Sequence, residues 1–134
     1  MREILFRAKR LKEYDKDENW VYGVPCMNYK DECEMHTSDS VRLVNPETIG
    51  EFTGLYDKNG VKVFEGDVVN YFDKDFLNHE VIYTNGCFMF RFISIFTQRA
   101  RNTKQEPIFD NISMCGKVIG NIYDNPELLD DTIS

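Results

Sequence analysis

The sequence has few helix-forming residues and no long apolar run, and each shortage excludes a class of protein. Alanine, leucine and methionine number 14 together, whereas valine, isoleucine, threonine, phenylalanine, tyrosine and tryptophan number 45. β-branched and aromatic side chains lose rotamer freedom on a helix but pack well on a pleated sheet, so a helical bundle is excluded and a mainly β fold is predicted. No stretch reaches the roughly 18 consecutive apolar residues of a membrane-spanning helix, so no membrane partner is expected.

Positive charge is also scarce. The chain carries 16 Lys and Arg against 23 Asp and Glu, a net charge of -7. Binding to a nucleic-acid backbone relies on clustered cations, so nucleic acid is a disfavoured partner. Two segments run against this balance and could still contact phosphate; their basic residues are Arg2, Arg7, Lys9, Arg10 and Lys12, and, in the loop 98–104, Arg99, Arg101 and Lys104. The tail is acidic through Asp124, Glu127, Asp130 and Asp131.

The N-terminal residues do not contain the apolar core of a secretory signal, so a cytoplasmic location is expected. Cysteines in that compartment stay reduced, and the four here, Cys26, Cys33, Cys87 and Cys115, are interpreted mainly as buried thiols. A metal site from Cys26, Cys33 and His36 is the alternative. Its spacing lacks the Cys-x-x-Cys pair of structural zinc sites, so no metal and no cofactor are predicted.

Catalytic motifs are missing as well. The two histidines, His36 and His79, lie beside no nucleophile turn, and the sequence contains no Gly-x-Ser-x-Gly, His-Glu-x-x-His, Gly-x-Gly-x-x-Gly or P-loop pattern. We therefore expect a non-enzymatic protein with no catalytic residues. A dispersed pair of carboxylates stays open as a weak alternative, because acids far apart in sequence can converge in space.

Turn residues predict two β-hairpins. Asn59-Gly60 separates the apolar runs 52–56 and 61–64, and Asn85-Gly86 separates 81–83 from 87–92. Asn-Gly is a strong hairpin signal because both residues tolerate positive φ. In the last of these runs Phe88, Phe90 and Phe92 alternate with polar or smaller residues, so their common face should point inward.

Further strands are predicted over 4–8, 20–24, 68–72 and 117–122, with the first two paired. The segments 28–39, 73–78 and 98–107 are interpreted as loops. A short terminal helical turn is expected over 124–129, where Asn125 can cap and Pro126 suits the first helical position.

Several segments together resemble the YopX family of phage and prophage proteins. The most specific is residues 44–69, VNPETIGEFTGLYDKNGVKVFEGDVV. The segments REILFRA at 2–8, WVYG at 20–23 and VIGNIYDNPELL at 118–129 are similar to the family's opening, second block and close. The resemblance therefore spans the full length.

The resemblance implies a small antiparallel fold with a barrel-like, SH3-like portion and β-hairpins, encoded by a phage or prophage and working in the bacterial cytoplasm. It implies no catalytic residue. We expect a single domain over 1–134. A subdivision into 1–45, an N-terminal hairpin with an acidic loop, and 46–134, the barrel-like portion, stays open.

The matched residues are read mainly as architecture. Gly54, Gly60 and Gly66 suit turns, and the short side chains of Asp57 and Asp67 can accept hydrogen bonds from nearby amides. A magnesium-type pocket formed by Asp57, Glu65 and Asp67 is the alternative, without the usual spacing of a cation loop.

The leading functional hypothesis is an accessory module that binds a host or phage protein or assembles with itself, so a homo-oligomer is one expected form. The alternative is a nucleic-acid-binding β-barrel that stacks bases on Trp20, Tyr22 and Tyr29. A third hypothesis is an acidic surface that imitates a nucleic-acid backbone.

Overall fold

The structure is a computed structural model that describes residues 3–11, 20–74, 77–93, 105–108 and 111–129. The chain divides into two compact units, Met1–Phe52 and Thr53–Ser134, here called unit 1 and unit 2. Each contains antiparallel strands, so the mainly β prediction is confirmed. None of the described helices is long and apolar enough to cross a membrane.

The described residues include eleven strands and three short helical segments whose bounds are known, joined by turns and loops. In chain order they are β1 Phe6–Lys9, β2 Trp20–Met27, β3 Cys33–His36, β4 Val41–Leu43, a 3-10 turn Pro46–Thr48, β5 Gly50–Tyr56, β6 Lys62–Phe64, β7 Asp67–Tyr71, β8 Asn78–Thr84, β9 Cys87–Ile93, β10 Gln105–Pro107, α1 Ile112–Cys115, β11 Gly116–Asn121 and a 3-10 turn Pro126–Leu129.

Unit 1 is an antiparallel sheet in the order β4-β3-β2-β1, continued by the first residues of β5. The predicted pairing of the first two strands is confirmed, with Phe6 opposite Gly23 and Lys9 opposite Trp20. Strand β2 pairs with β1 through its first half and with β3 through its second half. The loop interpretation of 28–39 is wrong for β3, whose alternating residues Cys33 and Met35 turn inward.

Gly23 lies where β2 changes partner. A Cβ atom there would collide with the backbone carbonyl of His36, so only glycine allows the two strands to approach so closely. This accounts for the glycine of the WVYG segment without any functional role.

The hydrophobic core cluster of unit 1 is small, and the fully buried Phe52 at the end of the unit is not one of its members. Its members are Ala8, Val21, Cys33, Met35 and Val44. After β4 the chain returns to β1, since the N–H of Asn45 donates to the carbonyl of Lys9 and Val44 forms an isolated bridge with Arg10. Thr48 Oγ1 accepts a further hydrogen bond from the Lys9 N–H.

Unit 2 contains both predicted hairpins, and their turns differ. At Asn85-Gly86 both residues have positive φ, as a two-residue type I′ turn requires. At Asn59-Gly60 only the glycine has positive φ, and the Gly60 N–H donates to the Asp57 carbonyl. The same dipeptide thus closes a type I turn followed by a left-handed glycine in one hairpin and a type I′ turn in the other.

The remaining five strands of unit 2 form an antiparallel sheet in the order β10-β9-β8-β7-β11. Phe90 is completely buried and Phe88 and Phe92 are half-buried, so the inward face predicted for β9 is confirmed most fully at its centre. The core also contains Val69, Val81 and Ile112.

The ends of unit 2 follow the sequence with small differences. The predicted helical turn is present as the 3-10 segment, but the Asn125 side chain accepts from the N–H of Asn121. Part of the predicted loop 98–107 is β10, which pairs with β9. The rest of that loop, including Arg99, Arg101 and Lys104, lies outside the described residues.

The barrel-like expectation needs correction. Within the described ranges the named strands form two antiparallel sheets with open strand orders and no closed barrel. One strand order ends at β4 and β6 and the other at β10 and β11, and neither order returns to its first strand. The SH3-like detail stays a prediction.

Candidate functional site

One face of the sheet in unit 1 presents apolar side chains to solvent. Val24, His36 and Val41 are direct cross-strand neighbours on β2, β3 and β4. Val24 is 52% exposed and Val41 48%. Tyr22, two residues before Val24 on β2, is 46% exposed on the same side. We call this surface, formed by Tyr22, Val24, His36 and Val41, the open face.

The open face combines apolar and polar chemistry. His36 Nε2 lies 3.4 Å from Glu34 Oε1, and Glu34 is cross-strand to Cys26. On the opposite side of the sheet, the β3 side chains of Cys33 and Met35 are buried in the core of unit 1. An antiparallel sheet often buries one face and leaves the other in water, but the outer face then usually carries polar residues. A cluster of exposed valine and tyrosine is the feature expected of a contact surface.

The predicted stacking residues are only partly brought together. Trp20 and Tyr22 share a side of β2, but Tyr29 lies in the following turn and is 91% exposed. The Arg7 guanidinium lies 4.4 Å from the Trp20 ring centroid, and Lys9 Nζ lies 5.7 Å from it. The Trp20 ring is therefore already in contact with cations.

The metal alternative is not formed. Cys33 is buried in the core of unit 1, whereas Cys26 and His36 are exposed on the other side of the sheet. Among the described residues no three His, Cys, Asp or Glu side chains lie close enough to hold a metal ion. Burial, followed by the nearby Cys26, raises the pKa of the Cys33 thiol above its ordinary value.

Asp57 acts as a structural anchor. Its Oδ1 accepts hydrogen bonds from the N–H groups of Asn59 and Val61 at 2.8 and 2.9 Å, and its Oδ2 accepts from Val118 N–H at 2.9 Å. The carboxylate is buried and joins the first hairpin of unit 2 to β11.

Asp67 has a similar role, because its Oδ2 accepts from the Phe64 N–H at 2.8 Å. Glu65, the third residue of the alternative cation pocket, is half-buried in the turn between Phe64 and Asp67. The architectural interpretation of Asp57 and Asp67 is therefore confirmed by their hydrogen bonds to backbone amides.

The other histidine lies among aromatic rings in unit 2. His79 is 1% exposed, and its ring centroid lies 5.3 Å from Tyr71, 4.9 Å from Phe90 and 4.6 Å from Phe92. Its Nδ1 lies 3.3 Å from the Val69 carbonyl oxygen. Burial raises the pKa of the neighbouring Tyr71 hydroxyl, so the phenol stays protonated at neutral pH.

A pocket of about 310 Å³ opens beside this cluster. It is lined by Tyr71, Phe72, Leu77, His79, Phe92 and Asn111. Phe72 and the next residue, Asp73, both have positive φ, at 62° and 55°. Such a backbone is uncommon for a bulky aromatic residue and puts the Phe72 ring, 59% exposed, at the pocket mouth.

Sequence reasoning did not find this pocket. Its residues come from β7, the turn after it, β8, β9 and the residue before α1, so no short motif contains them. The turn at Phe72-Asp73 has neither the glycine nor the asparagine that usually indicates left-handed backbone. The available signal was the presence of Tyr71 on β7 and His79 on the next strand, β8.

The charged segments are described only in part. Asp124 accepts a hydrogen bond from the Asn121 side chain at 3.1 Å and so belongs to the turn after β11. Glu127 is exposed in the first turn of the last helical segment. Arg2, Lys12, Asp130 and Asp131 lie outside the described residues.

Comparison with protein families gives a match over nearly the whole chain. A model of the family described as YopX protein matches residues 6–130. The matched range includes strands from both units and the turns at Gly60, Gly66 and Asn121.

A solved structure is also similar. The crystal structure of protein EF1440 from Enterococcus faecalis is 26% identical, and the alignment covers 97% of this chain and 100% of that one with a TM-score of 0.58. That name states no activity. A search of curated proteins found no match.

Proposed function

The chain belongs to the YopX family, and from this premise we propose that it is a non-enzymatic phage or prophage accessory protein that binds another protein in the bacterial cytoplasm. The observation that carries the proposal is the open face of unit 1. Its row of Val24, His36 and Val41 crosses three strands and is accessible to a partner along its whole length.

The composition of the open face suits a partner that associates and dissociates. Interfaces of this kind combine apolar contacts with polar groups, whereas the interfaces of permanent dimers are more apolar. Here two valines and a tyrosine accompany His36, whose Nε2 lies 3.4 Å from Glu34 Oε1. We therefore expect a second protein, encoded by the host or the phage, as the principal occupant of the open face, and a second copy of this chain as the competing outcome.

The setting of the histidines supports a role without catalysis. His79 is enclosed by rings, and His36 pairs with Glu34 on an exposed sheet surface rather than in a cleft. General acid–base chemistry needs a titrating group within hydrogen-bonding reach of a bound substrate. His36 lies on an open sheet surface, and His79, although it lines the pocket of unit 2, is only 1% exposed.

The test uses two matched valines. Val24→Lys places a charge in the open face, whereas Val61→Lys places the same charge at a 47% exposed valine of unit 2. Each tagged protein is used for affinity capture from lysogenic cells, the retained protein is identified by mass spectrometry, and the complex is rebuilt from purified components. We expect Val24→Lys to lose the partner and Val61→Lys to retain it.

Two outcomes would contradict this proposal. If both variants retain the partner equally, the open face is not the binding surface. If light scattering shows a wild-type dimer that Val24→Lys dissociates, the face is an interface between copies of this chain.

Nucleic-acid binding is the alternative function, favoured by the close grouping of Arg7, Lys9 and Trp20. It predicts affinity for oligonucleotides that falls steeply with added salt. Fluorescence polarisation with single- and double-stranded oligonucleotides tests it, and the absence of binding at low salt would remove it.

A further inference from the structure

We propose that the pocket of unit 2 binds one small, neutral, planar aromatic molecule. This inference goes beyond the proposed protein binding, because it uses other residues and a different kind of ligand. The pocket lies entirely among residues of unit 2, whereas the open face lies in unit 1.

The size of the pocket limits the ligand. Small-molecule sites in proteins usually enclose about 300–1,000 Å³, and this pocket of about 310 Å³ is at the lower end of that range. A molecule of one or two fused rings would fill it. A nucleotide or a larger cofactor would extend well outside.

The walls select a planar ring. Tyr71 and His79 meet edge to face at an interplanar angle of 78°, and His79 and Phe92 are inclined at 58°. Phe72 adds a fourth ring, inclined at 61° to Tyr71. Aromatic rings prefer such edge-to-face contacts because the positive edge of one faces the negative face of another. A planar guest can continue this arrangement, and a saturated ring of the same size cannot.

The charge of the lining indicates a neutral ligand. Among the described lining residues none carries a carboxylate, ammonium or guanidinium group, and the walls that they form are mostly hydrocarbon. A charged molecule would lose its hydration there without gaining an opposite charge.

One side chain can orient a polar edge of the ligand. Asn111 is exposed beside the pocket and its side chain makes no capping hydrogen bond to α1. A carboxamide both donates and accepts, so it suits a ring N–H, hydroxyl or ring nitrogen. The ligand class is therefore a phenol or a neutral nitrogen heterocycle.

The backbone at the mouth supports a binding role for Phe72. A phenylalanine at φ 62° is strained, and strained backbone often occurs at ligand sites. Asparagine tolerates this backbone much better. Phe72→Asn consequently removes the ring while preserving the turn, which separates binding from folding.

The probe is indole, titrated into ¹⁵N-labelled full-length protein and followed by amide chemical shifts. We expect saturable shifts around Tyr71, His79 and Phe92. Phe72→Asn and Asn111→Ala should each weaken binding by roughly two- to tenfold, the range that one aromatic contact or one hydrogen bond contributes. Tyr22→Ser, a ring removed from the open face, should leave the indole affinity unchanged.

Three results would overturn the proposal. One is the absence of saturable shifts in unit 2 at millimolar indole. Another is equal affinity for cyclohexanol, which would show that planarity is not recognised. The third is binding only of a tryptophan-containing peptide, which would make the pocket an anchor site for a partner protein. Failure of partner capture by Val24→Lys affects none of these measurements, so the two proposals fail separately.

Discussion

The two units form their hydrophobic cores from different kinds of residue. The core cluster of unit 1 contains small aliphatic and sulfur-containing side chains, with Met35 and Val44 fully enclosed; Phe52 is buried outside that cluster, and Tyr22 and Tyr29 are exposed. Unit 2 buries Tyr71 and Phe90 beside His79. The rings of Tyr71, His79 and Phe92 also line the pocket of unit 2, together with the exposed ring of Phe72.

This difference indicates separate tasks for the units. Rings at the surface of unit 1 offer apolar contact area to a large partner. Rings inside unit 2 surround a pocket that suits a small guest. The following predictions test whether the units are as distinct as their cores suggest.

The largest expected effect comes from the two cores. Phe90→Ala should lower the free energy of unfolding by about 3–5 kcal/mol and Met35→Ala by about 2–5 kcal/mol, since both leave cavities in fully buried sites. Amide hydrogen exchange measures where protection is lost. We expect Phe90→Ala to accelerate exchange mainly in unit 2 and Met35→Ala mainly in unit 1. Equal acceleration of exchange throughout the chain in both variants would show that the two units unfold as one cooperative unit, and would contradict the distinction between their cores.

The second prediction compares two turn anchors. Asp57 is buried and holds three N–H groups, one of them 61 residues away. Asn28 in unit 1 is half-buried, and its Oδ1 accepts only from the nearby Lys30 and Glu32 N–H groups. Asp57→Ala should cost about 2–4 kcal/mol in urea unfolding, because three hydrogen bonds to a buried carboxylate are lost, and Asn28→Ala about 1 kcal/mol.

Asp57→Asn is the matched control, since it preserves the shape and one acceptor oxygen. It should be less destabilising than Asp57→Ala. If Asn28→Ala lowered the free energy of unfolding as much as Asp57→Ala, hydrogen bonds between distant residues would contribute no more to stability than hydrogen bonds within one turn.

The third prediction concerns alkaline pH. The folded protein raises the pKa of Cys33 above its ordinary 9.0 and that of Tyr71 above its ordinary 10.0. In the folded protein both groups favour the protonated form. The stabilisation from each group is therefore complete below its ordinary pKa and is lost as the pH rises above that value. Unit 1 should begin to lose stability near pH 9, before unit 2.

The single tryptophan, Trp20, makes this measurable, because its fluorescence reports unit 1, while amide hydrogen exchange in β7 reports unit 2. Cys33→Ala should remove the alkaline loss from the tryptophan signal, and Tyr71→Phe should remove it from the exchange signal of β7. A coincident loss that neither substitution changes would contradict the prediction.

The smallest effect is expected in thiol labelling, which measures the exposure and reactivity of the cysteines rather than stability. Cys26 and Cys87 are exposed, whereas Cys33 is buried and its pKa is raised, so less of it is the reactive thiolate. With a colorimetric disulfide reagent at pH 8, two thiols should react rapidly and Cys33 only slowly. Rapid modification of Cys33 in the folded protein would mean that the core of unit 1 opens readily.

Much of the fold could be predicted because its rules are local. Asn85-Gly86 needs only its own backbone preference to form a turn, and alternation alone places Phe90 inward. The segment 28–39 was misread because its apolar residues are few. Cys33 and Met35 form a strand there because β2 and β4 lie on either side to accept it.

The candidate sites depend far more on tertiary structure. The three residues Val24, His36 and Val41 become neighbours only through strand register, and Asn111 approaches Phe72 only after the chain has formed three further strands between them. Of the three residues named for base stacking, Trp20 and Tyr22 lie on one side of β2, whereas Tyr29 lies in the following turn. The cation over Trp20 comes from β1, on the neighbouring strand of the sheet.

The sequence by itself determined that this chain is built from strands, where its two Asn-Gly hairpins bend and which family it belongs to, because steric limits on φ and side-chain alternation act within a few residues. Only the tertiary structure decided that Cys26 and Cys33 face opposite sides, that Asp57 anchors Val118 and that Phe72 adopts a left-handed backbone. Those outcomes depend on which distant strands pair and pack, and the packing free energy of a whole unit outweighs the preference of any single residue.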